Sequence, residues 1–315
     1  MSTLPDAYRR LVDDAALFPP GNAPLPAAVA AHRRHRGAPH AGLVGPFVIS
    51  DVRLPELLEH LRSSGATAGP LPVAVVVTGG AGAIEPAVRW ATGPAEIRLA
   101  GLEVPLRGED DLARNAQRVT TALDQLRVTG VLGDQTPVSV EPPRVYGAAP
   151  GHSWLAALDE LAAWDLRLKL RTGGADADAF PSADELATCI GAALDRELPF
   201  KCTAGLHRAL HHRDEDTGFV HHGFLDVLLA TRAGLDGAGT AEVARWLEVE
   251  DPDSVRSGLE DAGADGLASA RRWFTSFGSC SVTEPLADLV ELGVLPPLGV
   301  LPEPPDAPGT QEEPT

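Results

Sequence analysis

The sequence has few cysteines and no long apolar run, and each shortage excludes a class of protein. The three cysteines, Cys189, Cys202 and Cys280, include no Cys-x-x-Cys pair. They therefore predict neither a disulfide framework nor a zinc knuckle, and they fit a reduced compartment. No stretch reaches the roughly 18 apolar residues that a transmembrane helix needs. Residues 1–10 also lack the apolar core of a secretory signal. We expect a cytoplasmic protein without a membrane partner.

Positive charge is also scarce, and this bears on the partners. The 26 basic residues face 44 acidic ones, which gives a net charge of −18. Proteins that bind nucleic acid or an anionic membrane surface present clustered positive charge to phosphate, so we expect neither partner. The 315 residues, 44% of them hydrophobic, suffice for a substantial core in one large domain or two small ones. We expect a small-molecule ligand, while the sequence leaves the choice between a monomer and a homo-oligomer open.

Lysine is the scarcest of the charged residues. Only two of the 26 basic residues are lysines, Lys169 and Lys201, and the others are arginines. A chain rich in alanine, glycine, proline and arginine is typical of a GC-rich genome, which favours arginine codons. Arginine serves wherever a surface positive charge is all that is needed. A lysine that is kept against this bias indicates a position where arginine cannot do the same work.

Strand-like apolar runs alternate with helical patterns along the chain. This alternation predicts βα units and a parallel sheet. Eight such units in about 295 residues match the size of a (β/α)₈ barrel, also called a TIM barrel. The alternative is an open doubly wound sheet, which is weakened because no GxGxxG follows the first strand and no phosphate-binding P-loop is present. The predicted strands are 15–18, 43–50, 72–78, 97–106, 137–141, 166–172, 199–203 and 273–279.

Three segments define the predicted domain organisation. The barrel should occupy residues 1–295. Residues 206–272 are too long for one βα connection, so we expect a helical insertion there that forms a lid or extra helices, including helices at 240–248 and 253–259. Residues 296–315 are acidic and rich in proline, which predicts a disordered tail.

The two lysines fall on neighbouring predicted strands. Strand side chains alternate between two faces, so Lys169 shares a face with Arg171 on the sixth strand, and Lys201 shares a face with Thr203 on the seventh. If these faces point into the barrel, both lysines converge. An amine close to other cations in a partly dry pocket loses its proton more easily, and it can then form a Schiff base with a carbonyl compound. The alternative is that the lysines point outward and extend along the helices to solvent.

Two carboxylates stand at other strand ends. Glu103 and Glu141 could act as a general base or as counter-ions of the lysines. The alternative is a salt bridge across the barrel mouth to Arg144 or Arg171.

Other polar residues near strand ends are weaker candidates for binding a substrate. Asp51 follows the second strand. Ser279 and Ser281, with Gly278, precede a helix and could bind phosphate through backbone N–H groups, or they could simply cap the helix. Asp13 and Asp14 precede the first predicted strand, and for Asp14 we expect a place in a turn.

Three segments resemble the class I deoxyribose-phosphate aldolases. Residues 169–174 (Lys-Leu-Arg-Thr-Gly-Gly), 180–186 (Phe-Pro-Ser-Ala-Asp-Glu-Leu) and 200–206 (Phe-Lys-Cys-Thr-Ala-Gly-Leu) are similar to that family's Lys-x-x-Thr-Gly strand, its following helix start and its Lys-x-x-Gly-Gly-Ile-Arg strand. Residues 277–281 (Phe-Gly-Ser-Cys-Ser) are similar to its Phe-Gly-Ala-Ser-Ser. The resemblance covers roughly 60 residues of the 315.

This resemblance implies a barrel aldolase that needs no cofactor. Lys169 would be the Schiff-base lysine and Lys201 the neighbour that tunes it, while a phosphate site would be lined by Gly205, Gly278 and Ser279. Two positions differ from the family, because Ala204 stands where it has a glycine and His207 where it has an arginine. The family's acidic proton-relay residue has no clear match, so Glu103 and Glu141 stand in for it.

Histidines cluster in one segment. Five of the ten lie between residues 207 and 222. They could supply metal ligands, with His207, His211 and His221 as the candidates, although the spacing matches no known motif. His207, just after the seventh strand, could also carry a proton. The alternatives are a solvated loop face for His211 and His212 and a helix start for His221 and His222. The sequence therefore leaves three hypotheses, which are a Schiff-base lyase or aldolase, a metal-dependent barrel hydrolase or lyase, and a barrel that only binds.

Overall fold

The computed structural model describes residues 4–64, 69–107, 110–147 and 149–296. Eight parallel strands close into a barrel in the order β1-β10-β7-β6-β5-β4-β3-β2, and β8 pairs with β9 in a separate antiparallel hairpin. The (β/α)₈ barrel is confirmed. The strands are β1 (Val12–Asp14), β2 (Val44–Ser50), β3 (Leu71–Val76), β4 (Ile97–Pro105), β5 (Val138–Glu141), β6 (Arg167–Arg171), β7 (Phe200–Thr203), β8 (His212–Arg213), β9 (Val220–His221) and β10 (Phe274–Ser279).

Helices surround the barrel and bury one face each. In the second helix, the leucines at 54, 57, 58 and 61 lie on the buried face, at the spacing of an amphipathic helix. Within the described part of the chain, no helix is both long and apolar enough to cross a membrane. The helices are α1 (Leu25–Gly37), α2 (Leu54–Ser63), α3 (Ile84–Thr92), α4 (Leu112–Val128), α5 (His152–Ala163), α6 (Ala183–Leu194), α7 (Phe224–Leu235), α8 (Thr240–Trp246), α9 (Pro252–Trp273) and α10 (Thr283–Glu291).

The helix after the sixth strand begins with a capping box. The Ser182 side chain accepts a hydrogen bond from the Glu185 N–H at 3.2 Å, and the Glu185 carboxylate accepts one from the Ser182 N–H at 2.9 Å. These reciprocal bonds satisfy two N–H groups that have no partner within the helix. They fix the start of α6 directly after the loop that leaves β6.

The first strand differs from the prediction. Residues 15–18 are not a strand, because β1 is Val12–Asp14 and pairs in register with the end of β10. The prediction placed the strand at 15–18 because apolar residues are concentrated there, whereas the strand itself contains two aspartates. Two aspartates can occupy a buried strand here because each has a basic partner, Lys201 for Asp13 and His32 for Asp14. The expectation of Asp14 in a turn is therefore wrong.

The predicted insertion at 206–272 is helical, but its helices stand beside the barrel. Helix α7 packs against the barrel wall, where the rings of Phe224 and Phe277 stack with their centroids 5.0 Å apart. Helix α9 is longer than predicted, with a kink at Gly263. It begins near the barrel mouth and ends directly before β10, so it is the return helix of the last unit. Helix α3 was not predicted, and of α7 only a helix start at His221 and His222 was considered. The predicted disordered tail lies, from residue 297 onward, outside the residues that the structure describes.

Candidate active site

The two lysines meet inside the barrel. Lys169 and Lys201 are register partners of the neighbouring strands β6 and β7. The Glu103 carboxylate lies between them, with one oxygen 2.7 Å from the Lys169 Nζ and the other 2.5 Å from the Lys201 Nζ. Glu103 belongs to β4, which is not adjacent to β7, so this contact crosses the barrel interior. The expectation that the strand faces with the lysines point inward is therefore correct.

Lys201 is held on its other side by Asp13 of β1. The Asp13 Oδ2 lies 2.6 Å from the Lys201 Nζ and also accepts a hydrogen bond from the Ser276 hydroxyl at 2.8 Å. On the neighbouring strand β2, a Cβ on Gly45 would collide with the Asp13 carboxylate. The glycine therefore makes room for this carboxylate. The Lys201 end of the cluster is enclosed, because Asp13 and Lys201 are each only 5% exposed.

Lys169 is linked to the surface by Glu141 and Arg171. The Glu141 carboxylate lies 2.9 Å from the Lys169 Nζ and 2.7 Å from the Arg171 Nε. The Arg171 side chain is 46% exposed, whereas the Lys169 side chain is 4% exposed. Carboxylates and cations thus alternate from the enclosed end to the open end. We call this chain the interior network, and its members in order are Asp13, Lys201, Glu103, Lys169, Glu141 and Arg171.

The network fixes the charge of its central groups. Burial alone would raise the pKa of Glu103, but the charges and hydrogen bonds of Lys169 and Lys201 outweigh burial and hold that pKa at about 2. Burial alone would lower the pKa of Lys201, and Asp13 and Glu103 instead raise it above its ordinary value. At neutral pH, Glu103 is therefore an anion and Lys201 a cation.

The network is unusual for a barrel core, which is ordinarily filled with branched aliphatic side chains. Removing two charges from water costs several kcal/mol per ion, and their attraction repays that cost only in good geometry. Ionic pairs inside a core are thus weak evidence for stability. Grouped titratable side chains at strand ends mark a candidate functional site. Lys169 contacts two carboxylates and lies beside a second lysine that is charged at neutral pH.

A cavity of about 1000 Å³ opens above the ends of β6 and β7. It is lined by the β8–β9 hairpin, the first turn of α9, the start of α10 and the loop after β7. Gly205 lines it, and neither lysine does. Gly205 has a φ of +77°, and a Cβ there would collide with the Thr172 carbonyl oxygen. Glycine at this position permits the close approach of the chains that leave β6 and β7.

The other strand-end candidates lie outside the interior network. Thr203 and Gly278 are register partners in β7 and β10. The Ser279 hydroxyl lies 3.4 Å from the His207 Nδ1. The Ser281 hydroxyl accepts the Glu284 N–H at 3.2 Å, as a helix cap would.

Asp51 and Arg144 make local contacts. The Asp51 carboxylate accepts hydrogen bonds from the N–H and, at 2.8 Å, the hydroxyl of Thr78, which ties the exit of β2 to that of β3. Arg144 pairs with Glu185 at 2.6 Å. Of the two salt bridges that we considered for the carboxylates of the mouth, the structure forms the one to Arg171.

The five histidines of the segment 207–222 do not converge on one point, although two pairs are in ring contact, His212 with His221 and His211 with His222. His207 contacts Glu284 at 3.1 Å, His212 contacts the Leu210 carbonyl, and His221 contacts the Gly205 carbonyl. Although His207, His211 and His221 all line the cavity, no group of three or more His, Cys, Asp or Glu side chains among the described residues is arranged to hold a metal ion. The geometry thus gives the metal hypothesis no support.

Three contributors to these sites were missed from the sequence. Asp13 belongs to the interior network, Ser276 donates a hydrogen bond to Asp13, and Cys280 lies beside His207. One signal could have found Asp13. The strand-end candidates included four cations (Arg144, Lys169, Arg171 and Lys201) against three carboxylates (Asp51, Glu103 and Glu141), and a buried cluster requires charge balance.

No protein-family model and no curated protein sequence that we compared with this chain matches it. The resemblance to the deoxyribose-phosphate aldolases thus rests on the motifs alone, and what the structure establishes is a closed (β/α)₈ barrel with two lysines and a carboxylate at its centre.

Proposed function

We propose that this protein is a Schiff-base-forming lyase of the aldolase type, acting on a small carbonyl compound with Lys169 as the nucleophile. The observation that carries the proposal is the carboxylate of Glu103 shared by the chain's two lysines inside a barrel. Barrels of this architecture hold their active sites at the carboxyl ends of the strands. The motif resemblance to class I deoxyribose-phosphate aldolases supports the same assignment of the lysines.

Lys169 is the better nucleophile of the two lysines because of its neighbours. Lys201 lies between two buried carboxylates, and its pKa is raised. It serves as a fixed cation beside Lys169. Lys169 is connected through Glu141 to the exposed Arg171. A substrate that displaces the Arg171 side chain therefore reaches Lys169 first.

The reaction needs only the side chains of the network and water. Lys169 passes a proton to solvent through Glu141, and the free amine attacks the substrate's carbonyl carbon. The carbonyl oxygen takes up one proton from the attached nitrogen and one from solvent and leaves as water, and a C=N bond forms. The resulting iminium accepts the electron pair of a carbon–carbon bond as that bond breaks, while the hydroxyl of the departing fragment loses its proton and becomes a carbonyl. The enamine left on Lys169 takes up a proton at carbon, and water hydrolyses the iminium and restores the lysine.

Borohydride trapping tests this proposal. The protein is incubated with small aldehydes, ketones and sugar phosphates, then reduced with borohydride and digested for peptide mass spectrometry. We expect a reduced adduct on the peptide that contains Lys169. The chain has only two lysines, so the adduct is assigned to one peptide without ambiguity. An adduct on Lys201 alone, or no adduct with any carbonyl compound, would overturn the assignment.

Two matched variants sharpen the experiment. Lys169→Arg keeps a cation between Glu103 and Glu141, but a guanidinium stays protonated and forms no imine. It should fold and give no adduct. Lys201→Arg keeps the fixed cation and should still give the adduct on Lys169. Circular dichroism confirms folding of both variants. Equal adduct yields from the two variants would contradict the assigned roles.

A further inference from the structure

A second group of reactive side chains lies on the cavity wall, away from the interior network. Cys280 directly follows β10, and His207 follows β7, which is adjacent to β10 in the barrel. The Cys280 Sγ lies 3.6 Å from the His207 Nδ1. The same Nδ1 lies 3.1 Å from a carboxylate oxygen of Glu284, in the first turn of α10. All three side chains line the cavity of about 1000 Å³.

The electrostatics of this group favour a charged imidazole. Burial alone would lower the pKa of His207, but its hydrogen bonds to Cys280 and Glu284 raise that pKa to about 9. The next residue, Arg208, is paired with Asp288 at 3.0 Å, so its charge is balanced locally. At neutral pH the sulfur therefore faces an imidazolium. A neighbouring imidazolium stabilises the negative charge of a thiolate, which is the nucleophilic form of cysteine.

The three cysteines differ sharply in their surroundings. Cys189 and Cys202 are buried, and burial raises the pKa of Cys189 to about 12 and that of Cys202 further still. Cys280 is partly exposed. A loop covers its other side, because a Cβ on Gly21 would lie 2.9 Å from the Cys280 Cβ. The open side of Cys280 is the cavity, so a reagent reaches the sulfur from there.

The charge of the cavity wall selects among reagents. The wall carries more carboxylates than guanidinium groups, and so it disfavours anions that approach from solvent. Its guanidinium groups belong to Arg208, Arg213 and Arg256. Its carboxylates belong to Asp214, Glu215, Asp216, Glu250, Glu284, Asp288 and Glu291.

From this geometry we propose that Cys280 and His207 form a thiolate–imidazolium pair that makes Cys280 a site of covalent modification by small uncharged carbon electrophiles entering the cavity. With an alkyl halide, the sulfur's electron pair forms an S–C bond, the carbon–halogen bond breaks and halide leaves. His207 keeps its proton throughout. The proposal does not depend on the lysines, so it stands or falls separately from the Schiff-base chemistry.

The test is alkylation of the native protein by iodoacetamide, followed over time by peptide mass spectrometry. We expect Cys280 to be labelled at least about tenfold faster at pH 6.5 than a cysteine in an unstructured peptide, and Cys189 and Cys202 to stay unlabelled until the protein unfolds. The negatively charged iodoacetate should react more slowly with Cys280 than iodoacetamide does. Labelling of Cys280 at the rate of the peptide thiol would overturn the proposal.

Two variants separate the imidazolium from simple exposure. His207→Gln removes the cation, so the rate of Cys280 labelling should fall about tenfold at pH 6.5 and recover as the pH approaches that of an ordinary thiol's ionisation. Glu284→Gln leaves the histidine in place but weakens its hold on the proton, and it should shift the pH profile in the same direction by less. An unchanged pH profile in both variants, with folding verified by circular dichroism, would overturn the pairing.

Discussion

The interior network and the histidine-rich segment 207–222 both place titratable groups near the carboxyl ends of the strands, but they satisfy those groups differently. In the network, each charge touches a side chain of opposite charge, and residues from β1, β4, β5, β6 and β7 contribute. In the histidine segment, His212, His221 and His222 contact backbone carbonyls. Strand register brings charged residues from distant parts of the chain into ion pairs, whereas in the β8–β9 hairpin the rings of His212 and His221 stack and their nitrogens contact carbonyl groups.

The difference has an energetic side. A buried charge that loses its partner keeps its full desolvation cost, so a paired network is sensitive to any single deletion. A neutral imidazole held by a carbonyl loses only one ordinary hydrogen bond when it is replaced, about 0.5–1.5 kcal/mol. A mutation in the interior network should therefore lower the free energy of unfolding by more than a mutation in the histidine segment does.

The largest effect is expected for Glu103→Gln. The substitution leaves two buried ammonium groups without their shared carboxylate, so the free energy of unfolding should fall by about 3–5 kcal/mol. Urea unfolding at pH 7 measures this. Glu56→Gln is the control, since Glu56 pairs with Arg53 on the surface at 2.8 Å, and an exposed pair contributes at most about 1 kcal/mol. Similar losses for the two variants would mean that the network is not the sensitive region.

A smaller effect of opposite sign is expected at Asp226, which lies next to the histidine segment. Asp226 is fully buried, its Oδ1 has no hydrogen-bond partner, and burial raises its pKa well above the ordinary value. A carboxyl with a raised folded pKa stabilises the fold at low pH, and this contribution is lost as the pH rises through that pKa. Asp226→Asn should therefore raise the free energy of unfolding at pH 8 by about 1–3 kcal/mol.

Unfolding measured at pH 5 and pH 8 tests the sign of this effect. The gain from Asp226→Asn should be smaller at pH 5 than at pH 8, because the raised pKa of the native carboxyl keeps a larger fraction of it protonated at the lower pH. A gain of equal size at both values would show that the carboxyl's ionisation is not the cause.

The smallest effect is expected for His207, whose pKa is shifted in the opposite direction from those of the neighbouring histidines. His207 has a pKa raised to about 9, whereas burial lowers the pKa values of His211 and His212. NMR titration of the imidazoles should therefore show His207 titrating last as the pH rises. Because its folded pKa is raised, His207 stabilises the fold below its unfolded pKa, and this contribution disappears as the pH rises through about 9. His207→Gln should cost about 1 kcal/mol at pH 6 and nothing at pH 10.

The parts of this molecule that the sequence predicted share a physical property. Seven of the eight barrel strands were found because buried parallel strands are continuous apolar runs. The lysines were found because they are rare and fall at equivalent positions of neighbouring strands. The apolar runs can be recognised within a few residues, and the positions of the two lysines follow from the repeat of the βα unit.

What the sequence missed depends on contacts between distant residues. A Val-Asp-Asp strand is unfavourable until Lys201 and His32 are placed beside it, so the apolar window at 15–18 was preferred. Cys280 and His207 lie 73 positions apart and meet only because β10 closes the barrel next to β7. The clustering of the histidines left a metal site open, but the described residues form no group of three or more side chains that could hold a metal ion.

The glycine contact above the lysines has a consequence for how this protein can change. A Cβ on Gly173 would lie 2.7 Å from the Gly205 Cα, so the chains leaving β6 and β7 run as close as backbones can. That contact sets the separation of the two chains just beyond the strands that carry Lys169 and Lys201. Loops beyond it can be exchanged to suit new ligands while the distance between the two amines stays constant. Chemistry and selectivity can thus diverge independently in this barrel.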